Sequence, residues 1–175
     1  RDRNRDQVRQ FMASLYRRHP VGSLLVWITR TESASTRGDG ELTPAYVSLL
    51  LDGQQRITSL YGIIRGRPPE FFDGNAQAFT GLYFNADEES FEFFAAKMKD
   101  SPSWVNVTDL SQRGVCEFIW RMYEIESLRP RLEEYISRLT ALESIKEVEF
   151  HIEQVTGEDK TVDVVVDIFN MVNSG

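Results

Sequence analysis

The sequence predicts an α+β domain with some α/β character, in which helices surround a small mixed β-sheet and a helical insertion lies in the second half. Apolar residues repeat with helical spacing in five segments, and short strand-like runs stand between them. Of the 175 residues, 41% are hydrophobic, which is enough for one core and too many for a disordered chain. We therefore expect a single domain over residues 1–175. We also expect it to be a fragment of a longer protein, because it opens on Arg1 without a methionine and stops at Gly175 directly after a motif.

A helix and then a strand are predicted for the first thirty residues. Four apolar side chains recur at helical spacing, and Pro20 follows the end of that helix. Residues 24–29 are continuously apolar, as in a short buried strand, and residues 31–43 are rich in Ser, Thr and Gly, which predicts a loop. The apolar stripe of the helix consists of Val8, Phe11, Met12 and Leu15.

A buried strand and a second helix are predicted on the two sides of Gly53. Residues 45–51 form an apolar run that is typical of a strand with both faces covered. The helix is expected over residues 54–65, and Gly66 suits its C-terminal stop. The residues expected to be buried are Val47, Leu49 and Leu51 in the strand and Ile57, Leu60, Tyr61 and Ile64 in the helix.

A hairpin and a helical insertion are predicted for the middle of the chain. Residues 79–85 and 90–95 read as its two strands, with Asn85 near the turn, and residues 104–110 as a connecting segment. Two helices follow in the insertion near residues 114–145. Their apolar faces are Val115, Phe118, Ile119 and Met122 in the first and Leu132, Tyr135, Ile136, Leu139 and Leu142 in the second.

The last two elements are predicted to be a strand and a helix. Residues 147–155 alternate between apolar and polar side chains, which predicts a strand. Residues 162–172 start with valines that favour a strand, but their apolar residues repeat with helical spacing. We predict a helix that begins near Thr161 or Asp163. The expected inward residues are Val148, Phe150, Ile152 and Val155 in the strand and Val164, Val165, Ile168, Phe169 and Val172 in the helix.

Charge and composition exclude several classes of function. The net charge of −7 argues against wrapping DNA by bulk electrostatics. Residues 1–30 carry seven arginines against two aspartates, which predicts a solvated helix face or, as the alternative, a phosphate-contacting patch. The single cysteine, Cys116, fits a reducing cytoplasm, and no apolar run is long enough for a membrane span.

The most informative segment is the run Asp52, Gly53, Gln54, Gln55 and Arg56. It ends the predicted strand and opens the predicted helix. The first turn of a helix has N–H groups without intrahelical partners and carries partial positive charge, so it is suited to phosphate. Arg56 adds a planar cation that matches phosphate oxygens. The sequence therefore predicts a phosphate site here, with Thr58 as a further candidate for a hydroxyl contact.

Each residue of this run has more than one interpretation. Gly53 is either a turn glycine or a position where a ligand approaches the backbone. Gln54 or Gln55 can orient an attacking water, as amides do in nucleotide hydrolases. Asp52 can hold a divalent metal or polarise that water, and it is equally suited to capping the helix. We therefore consider Asp52, Gln54, Gln55 and Arg56 as candidate catalytic residues.

Other catalytic chemistries lack their residues in this chain. There is no Walker A sequence for phosphate binding. His19 and His151 are the only histidines, and with Cys116 they build neither a zinc cluster nor a cysteine–histidine nucleophile pair. DNA cleavage is therefore expected only from a region outside this chain.

Three segments resemble one known family. They are the run from Asp52 to Arg56, residues 20–27 with the sequence Pro-Val-Gly-Ser-Leu-Leu-Val-Trp, and residues 168–175 with the sequence Ile-Phe-Asn-Met-Val-Asn-Ser-Gly. Together they resemble the DGQQR-motif family, a family of domains of unknown function that includes the N-terminal part of the GmrSD restriction system. That family is similar in fold to the ParB and sulfiredoxin group, so the resemblance implies a ParB/sulfiredoxin-like fold.

The resemblance implies a nucleotide-binding and NTP-hydrolysing regulatory domain of a modification-dependent restriction or phage-defence protein. Its cofactors would be a nucleoside triphosphate, GTP or another, with Mg²⁺. Arg56 would contact phosphate, the backbone of residues 53–55 would cradle it, and Asn170 or Asn173 would approach the site unless they only cap their helix. The implied partners are DNA, through the full-length protein, and a nuclease domain or subunit. The alternatives are a non-catalytic DNA- or partner-binding module and a ParB-like nuclease acting alone.

Overall fold

The computed structural model describes residues 3–30, 46–70, 77–157 and 161–173. Between the helices and strands lie short 3₁₀ turns at Ala96–Met98, Glu126–Arg131 and Ser144–Glu147. In chain order the elements are α1 (Arg3–Tyr16), β1 (Leu24–Arg30), β2 (Tyr46–Asp52), α2 (Gln54–Arg65), α3 (Gln77–Thr80), β3 (Leu82–Asn85), β4 (Ser90–Phe93), β5 (Trp104–Asn106), α4 (Val107–Arg113), α5 (Val115–Tyr123), α6 (Leu132–Glu143), β6 (Ile152–Val155) and α7 (Val162–Asn173).

The chain folds into two compact units that alternate along the sequence. The first unit comprises Arg1–Val21 and Thr58–Val148, and the second comprises Gly22–Ile57 and Glu149–Gly175. Within the described residues, each unit has one three-stranded sheet, in the orders β4-β3-β5 and β2-β1-β6. Separate sheets combined with helices confirm the predicted α+β class.

The sheet of the second unit has β1 at its centre. β2 pairs with β1 in the antiparallel sense, and β6 pairs with it in the parallel sense. Leu25 and Trp27 on β1 are buried and alternate along the strand, so one face of the sheet is apolar. Val155 from β6 and Val165 from α7 join them in one cluster, which leaves the final helix packed on this face.

The final helix is confirmed, although its buried face is narrower than predicted. Val165 is 3% exposed, and Ile168 and Phe169 pack partly buried against the cluster. Val164, which was expected to be inward, is 43% exposed. The valine-rich start favours a strand, but packing of the helix against the sheet overrides that preference. Val165, Ile168 and Phe169 lie within about one turn and cover the apolar face of the sheet. The side chain of Val172 lies outside the described residues.

The predicted hairpin forms the sheet of the first unit. β3 pairs with β4 on one side and with β5 on the other, both in the antiparallel sense. Phe84 and Phe91 pair across the hairpin, and the ring of Tyr16 from α1 packs against both. The turn begins at Asn85, as predicted, because its side-chain oxygen accepts hydrogen bonds from the N–H groups of Asp87 and Glu88.

Two predictions in this region are wrong. Residues 104–110 were expected to connect other elements, but they form β5 and the start of α4, where the Asn106 side chain caps the helix by accepting from the N–H of Asp109. Phe79 was expected in a strand and lies instead in the short helix α3. It is 2% exposed, so its apolar character reflects burial rather than sheet formation.

The bounds of α2 are as predicted, but its buried face is not. Ser59, Gly62 and Ile63 are the buried residues of this helix, whereas Tyr61 is 39% exposed. Gly62 explains the difference, because a Cβ there would lie 2.7 Å from the ring of Phe79. The missing side chain lets the buried Phe79 approach the helix beside Ile63, which is fully buried. Gly66, at φ +73°, ends the helix as expected.

The helices α5 and α6 are confirmed with one exception, in α6, and the predicted strand is shortened. In α5, Phe118 and Met122 are buried, whereas in α6 Ile136 is 42% exposed. β6 starts only at Ile152. Val148 and Phe150 are partly buried between exposed neighbours and Val155 is buried, as predicted, but Ile152 is 51% exposed, so the predicted inward alternation is wrong at Ile152. Parallel pairing with β1, rather than local alternation, sets the register here. The predicted loop at residues 31–43 lies outside the described residues.

Candidate functional site

The predicted strand–turn–helix is present at residues 52–56. β2 ends at Asp52, α2 begins at Gln54, and the N–H of Ile57 donates to the carbonyl of Gly53 at 3.0 Å. Gly53 has φ +92°, which side chains rarely allow. A Cβ at this position would lie 2.3 Å from Cδ2 of Leu24. Glycine is therefore required by conformation and by space, and the helix cap position is Gly53 rather than Asp52.

Arg56 is held in a defined position beside this turn. Its Nη2 donates to the carbonyl oxygen of Ser23 at 2.8 Å and to Oδ2 of Asp52 at 3.1 Å. The side chain is 22% exposed, so it is neither fully solvated nor sealed from solvent. The guanidinium also lies against Gly22, where a Cβ would be 2.9 Å from Nη1. Arg56 thus joins the turn after β2 to the segment that precedes β1.

The two glutamines differ in how they are held. Both are exposed at the start of α2. The Nε2 of Gln54 donates to the carbonyl of Leu50 at 2.7 Å, so this amide is anchored to β2. Thr58 belongs to the other compact unit, where it begins the stretch Thr58–Val148, and is partly buried. The roles predicted for Gln54, Gln55 and Thr58 stay predictions.

The two asparagines of the final helix are placed less fully. Asn170 is exposed on α7. Asn173 is the last residue of that helix, and its side chain lies outside the described residues. Their approach to the residues at positions 52–56 therefore stays a prediction.

Sequence analysis missed three residues that the structure adds to the site. Gly22 has φ +81°, and Ser23 supplies the carbonyl that receives Arg56. The hydroxyl of Ser23 donates to Oε1 of Glu153 at 2.9 Å. Gly22 and Ser23 lie in the segment that carries the family resemblance, so their presence at the site has a sequence signal. Glu153 has none, because its position depends on the parallel pairing of β6 with β1.

Within the ranges that the structure describes, no three His, Cys, Asp or Glu side chains lie together in a way that can hold a metal ion.

In the first unit, Arg9 pairs with Asp6 and Glu92, and the guanidinium of Arg5 stacks on the ring of Phe93. Arg5 and Arg9 thus take part in packing and ion pairs of α1, whereas Arg17 and Arg18 after the helix are exposed, as a solvated face predicts.

The second unit is therefore an arrangement of strands and helices in which an arginine is fixed at a helix N-terminus directly after a strand. A sequence model of the GmrSD restriction endonuclease N-terminal domain matches residues 4–175. The chain belongs to this family, which confirms the resemblance and places it among restriction and phage-defence proteins. A search of curated proteins found no match. None of the described helices is both long and apolar enough to cross a bilayer.

Proposed function

We propose that residues 52–56 bind the phosphates of a nucleoside triphosphate, and that the domain hydrolyses it to regulate a DNA-restricting protein. The observation that carries the proposal is the position of Arg56, which is fixed beside the first turn of α2 yet remains partly exposed. A phosphate at this place would meet the N–H groups of the first helical turn and a guanidinium together.

The ion pair between Arg56 and Asp52 does not prevent such binding. Both side chains are partly exposed, at 22% and 41%, and spaced i and i+4 on the chain. Pairs of this kind contribute only about 0–1 kcal/mol. A phosphate with two or more charge-assisted hydrogen bonds offers Arg56 more, since each contributes roughly 1.5–3 kcal/mol. Arg56 can therefore exchange its contact with Asp52 for a phosphate oxygen.

Asp52 would then be available to a hydrated Mg²⁺. Mg²⁺ is commonly bound by one or two carboxylates together with substrate phosphates, and not by a complete cage of protein ligands. A lone carboxylate beside a phosphate site fits that pattern. When bound, the ion would neutralise phosphate charge, while Gln54 or Gln55 would orient the attacking water.

The family supplies the wider setting of the proposal. The name of the matching family describes a restriction endonuclease, so the full-length protein would act on DNA. This chain is acidic, with a net charge of −7, and DNA contact would fall mainly to other regions. Nucleotide turnover here would control a nuclease domain or subunit.

Titration with ATP, GTP, CTP and UTP in the presence of Mg²⁺ tests the site directly. We expect at least one nucleotide to bind and Arg56→Ala to weaken it by about ten- to a hundredfold, the loss of one charge-assisted contact. Arg65→Ala is the matched control, because Arg65 is an exposed arginine in the last turn of the same helix. Equal affinity in wild type and Arg56→Ala would place the site elsewhere, and binding without turnover would favour a non-catalytic sensor.

A further inference from the structure

A chain of hydrogen bonds connects Arg56 to the start of β6. The guanidinium donates to the carbonyl of Ser23, and the hydroxyl of the same Ser23 donates to the carboxylate of Glu153. Ser23 is therefore held from both sides, by the arginine through its backbone and by the glutamate through its side chain. Glu153 is opposite Leu25 in the parallel pairing of β6 with β1, so its position is set by the sheet.

The backbone on the two sides of Ser23 is also constrained. Gly22 adopts φ +81°, and Nη1 of Arg56 occupies the space where a Cβ would otherwise be. After Ser23, the N–H of Leu24 donates to the carbonyl of His151 at 2.8 Å, directly before β6. The Ser23 carbonyl is thus held by the sheet on one side and by a close glycine contact on the other.

We propose that Gly22, Ser23 and Glu153 are positioning residues that fix the guanidinium of Arg56. The inference deepens the proposed function and rests on it only for the consequence for nucleotide binding. Gly22 provides the space, Ser23 provides the acceptor, and Glu153 holds Ser23 in place. None of the three is required to touch the ligand.

The energetic reason is the flexibility of arginine. A free arginine side chain has many rotamers, and binding a ligand through it costs roughly 2 kcal/mol of side-chain entropy. Contacts that restrict Arg56 before binding remove part of that cost. Asp52 alone cannot do this, because it lies on the same short stretch of chain and the pair is partly exposed. The contact with Ser23 ties the arginine to the segment that precedes β1.

The positioning is measurable in the protein without nucleotide. The guanidinium N–H signals of Arg56, assigned by comparison with Arg56→Lys, report its hydrogen bonding in NMR spectra. We expect them to be shifted and slowed in exchange in wild type, and to move towards free-arginine values in Gly22→Ala and Glu153→Ala. Glu153→Gln keeps an acceptor for the Ser23 hydroxyl and should retain the wild-type signals. Gln154→Ala, an exposed neighbour on β6, is the control.

Nucleotide affinity provides the second measurement. Because the Ser23–Glu153 bond is exposed, Glu153→Ala should weaken binding by roughly two- to fivefold, with recovery in Glu153→Gln. Gly22→Ala displaces the guanidinium itself and should weaken binding about tenfold or more.

The two measurements keep the two proposals apart. Unchanged Arg56 signals in folded Gly22→Ala and Glu153→Ala would overturn the positioning proposal, whatever the affinity. Absence of nucleotide binding in wild type would overturn the proposed function, while the NMR comparison would still decide the positioning of Arg56. Circular dichroism of each variant establishes whether it is folded. If Gly22→Ala does not fold, the comparison of Glu153→Ala with Glu153→Gln still tests the positioning of Arg56.

Discussion

The carboxylate of Asp87 organises the polar contacts of the first unit. It accepts hydrogen bonds from the hydroxyls of Ser103 and Tyr135 and from Arg131. Burial acts to raise the pKa of Asp87, but the hydrogen bonds from Ser103 and Tyr135 and the charge of Arg131 together lower it. Burial, and after it the hydrogen bond to Asp87, raises the pKa of Tyr135 to about 12. Asp87 is therefore a structural carboxylate that ties the hairpin turn to α6.

Asp87→Asn should destabilise the protein. The substitution removes the charge that faces Arg131 and leaves the hydroxyl donors with a weaker acceptor, for a loss of about 1–3 kcal/mol. Chemical denaturation of the two proteins measures the difference. Glu88→Gln, at an exposed position of the same turn, is the control and should be neutral. If Asp87→Asn lowers the free energy of unfolding no more than Glu88→Gln does, the contacts of Asp87 do not stabilise the fold.

The Asp87–Tyr135 contact also predicts a dependence of stability on pH. The pKa of Tyr135 is raised from about 10 to about 12 in the folded state, so its contribution is fully present below pH 10 and is lost between the two values. The pKa of Asp87 is lowered, so its contribution is present above the ordinary aspartate range and is lost as pH falls through the lowered value. Free energies of unfolding measured against pH should show both losses. Burial and the hydrogen bond to Glu89 also raise the pKa of Tyr16, so Tyr135→Phe should reduce the alkaline loss without abolishing it.

At the scale of elements, helix α2 shows how a single glycine affects which face of a helix is buried. The apolar spacing of the helix favoured Ile57, Leu60, Tyr61 and Ile64, but the structure buries Ile63 completely. Gly62 admits the ring of Phe79, and that neighbour is not visible in the local sequence.

Gly62→Ala tests this packing. Alanine is favoured over glycine in a helix interior by about 1 kcal/mol. Here its Cβ would lie within 3.0 Å of three Phe79 atoms, in a place where both residues are buried, and overpacking of this kind costs roughly 1–3 kcal/mol. We expect a net loss of stability and a lower melting temperature. Thr140→Ala, at an exposed position in α6, is the control, and a stabilised Gly62→Ala would contradict the packing argument.

Sequence reasoning succeeded where the signal is local. Apolar periodicity and terminal residues gave the bounds of α2 to the residue and the positions of α1, α5, α6 and α7. It missed β5 and started β6 too early, because both are short strands defined by partners far away in sequence. The candidate site follows the same rule. The motif at residues 52–56 was visible, but Glu153 was not, since only the sheet brings it to Ser23.

At the scale of the whole molecule, charge and residue content bear on whether this chain can cut DNA. The chain is acidic, and among its described residues no metal-ligand cluster of the kind used by nucleases is present. The family is that of the N-terminal domain of a restriction endonuclease. We therefore expect the cutting of DNA to require regions beyond this domain.

This chain alone should leave plasmid DNA intact. The assay combines it with unmodified or glucosylated plasmid, Mg²⁺ or Mn²⁺, and each nucleotide in turn, and follows supercoiled DNA on a gel. Asp52→Ala is the necessary companion variant. Cleavage that disappears in Asp52→Ala would contradict the expectation and support a nuclease acting alone, whereas cleavage that persists in the variant would point to a contaminant.

The division of the second unit into two stretches of chain has a consequence for protein synthesis. The ribosome delivers Ser23 and Arg56 early, but Glu153 follows only after the whole of Thr58–Val148 has been made. Until then β1 can pair only with β2, and the edge of β1 that pairs with β6 in the finished sheet has no strand beside it. Pairing across so long a separation is slow to form. A nascent chain halted before β6 would carry Arg56 and its contacts with Ser23 and Asp52, but without the Glu153 and His151 contacts that hold Ser23. Under the proposed function, full nucleotide affinity would therefore be reached only in the finished domain.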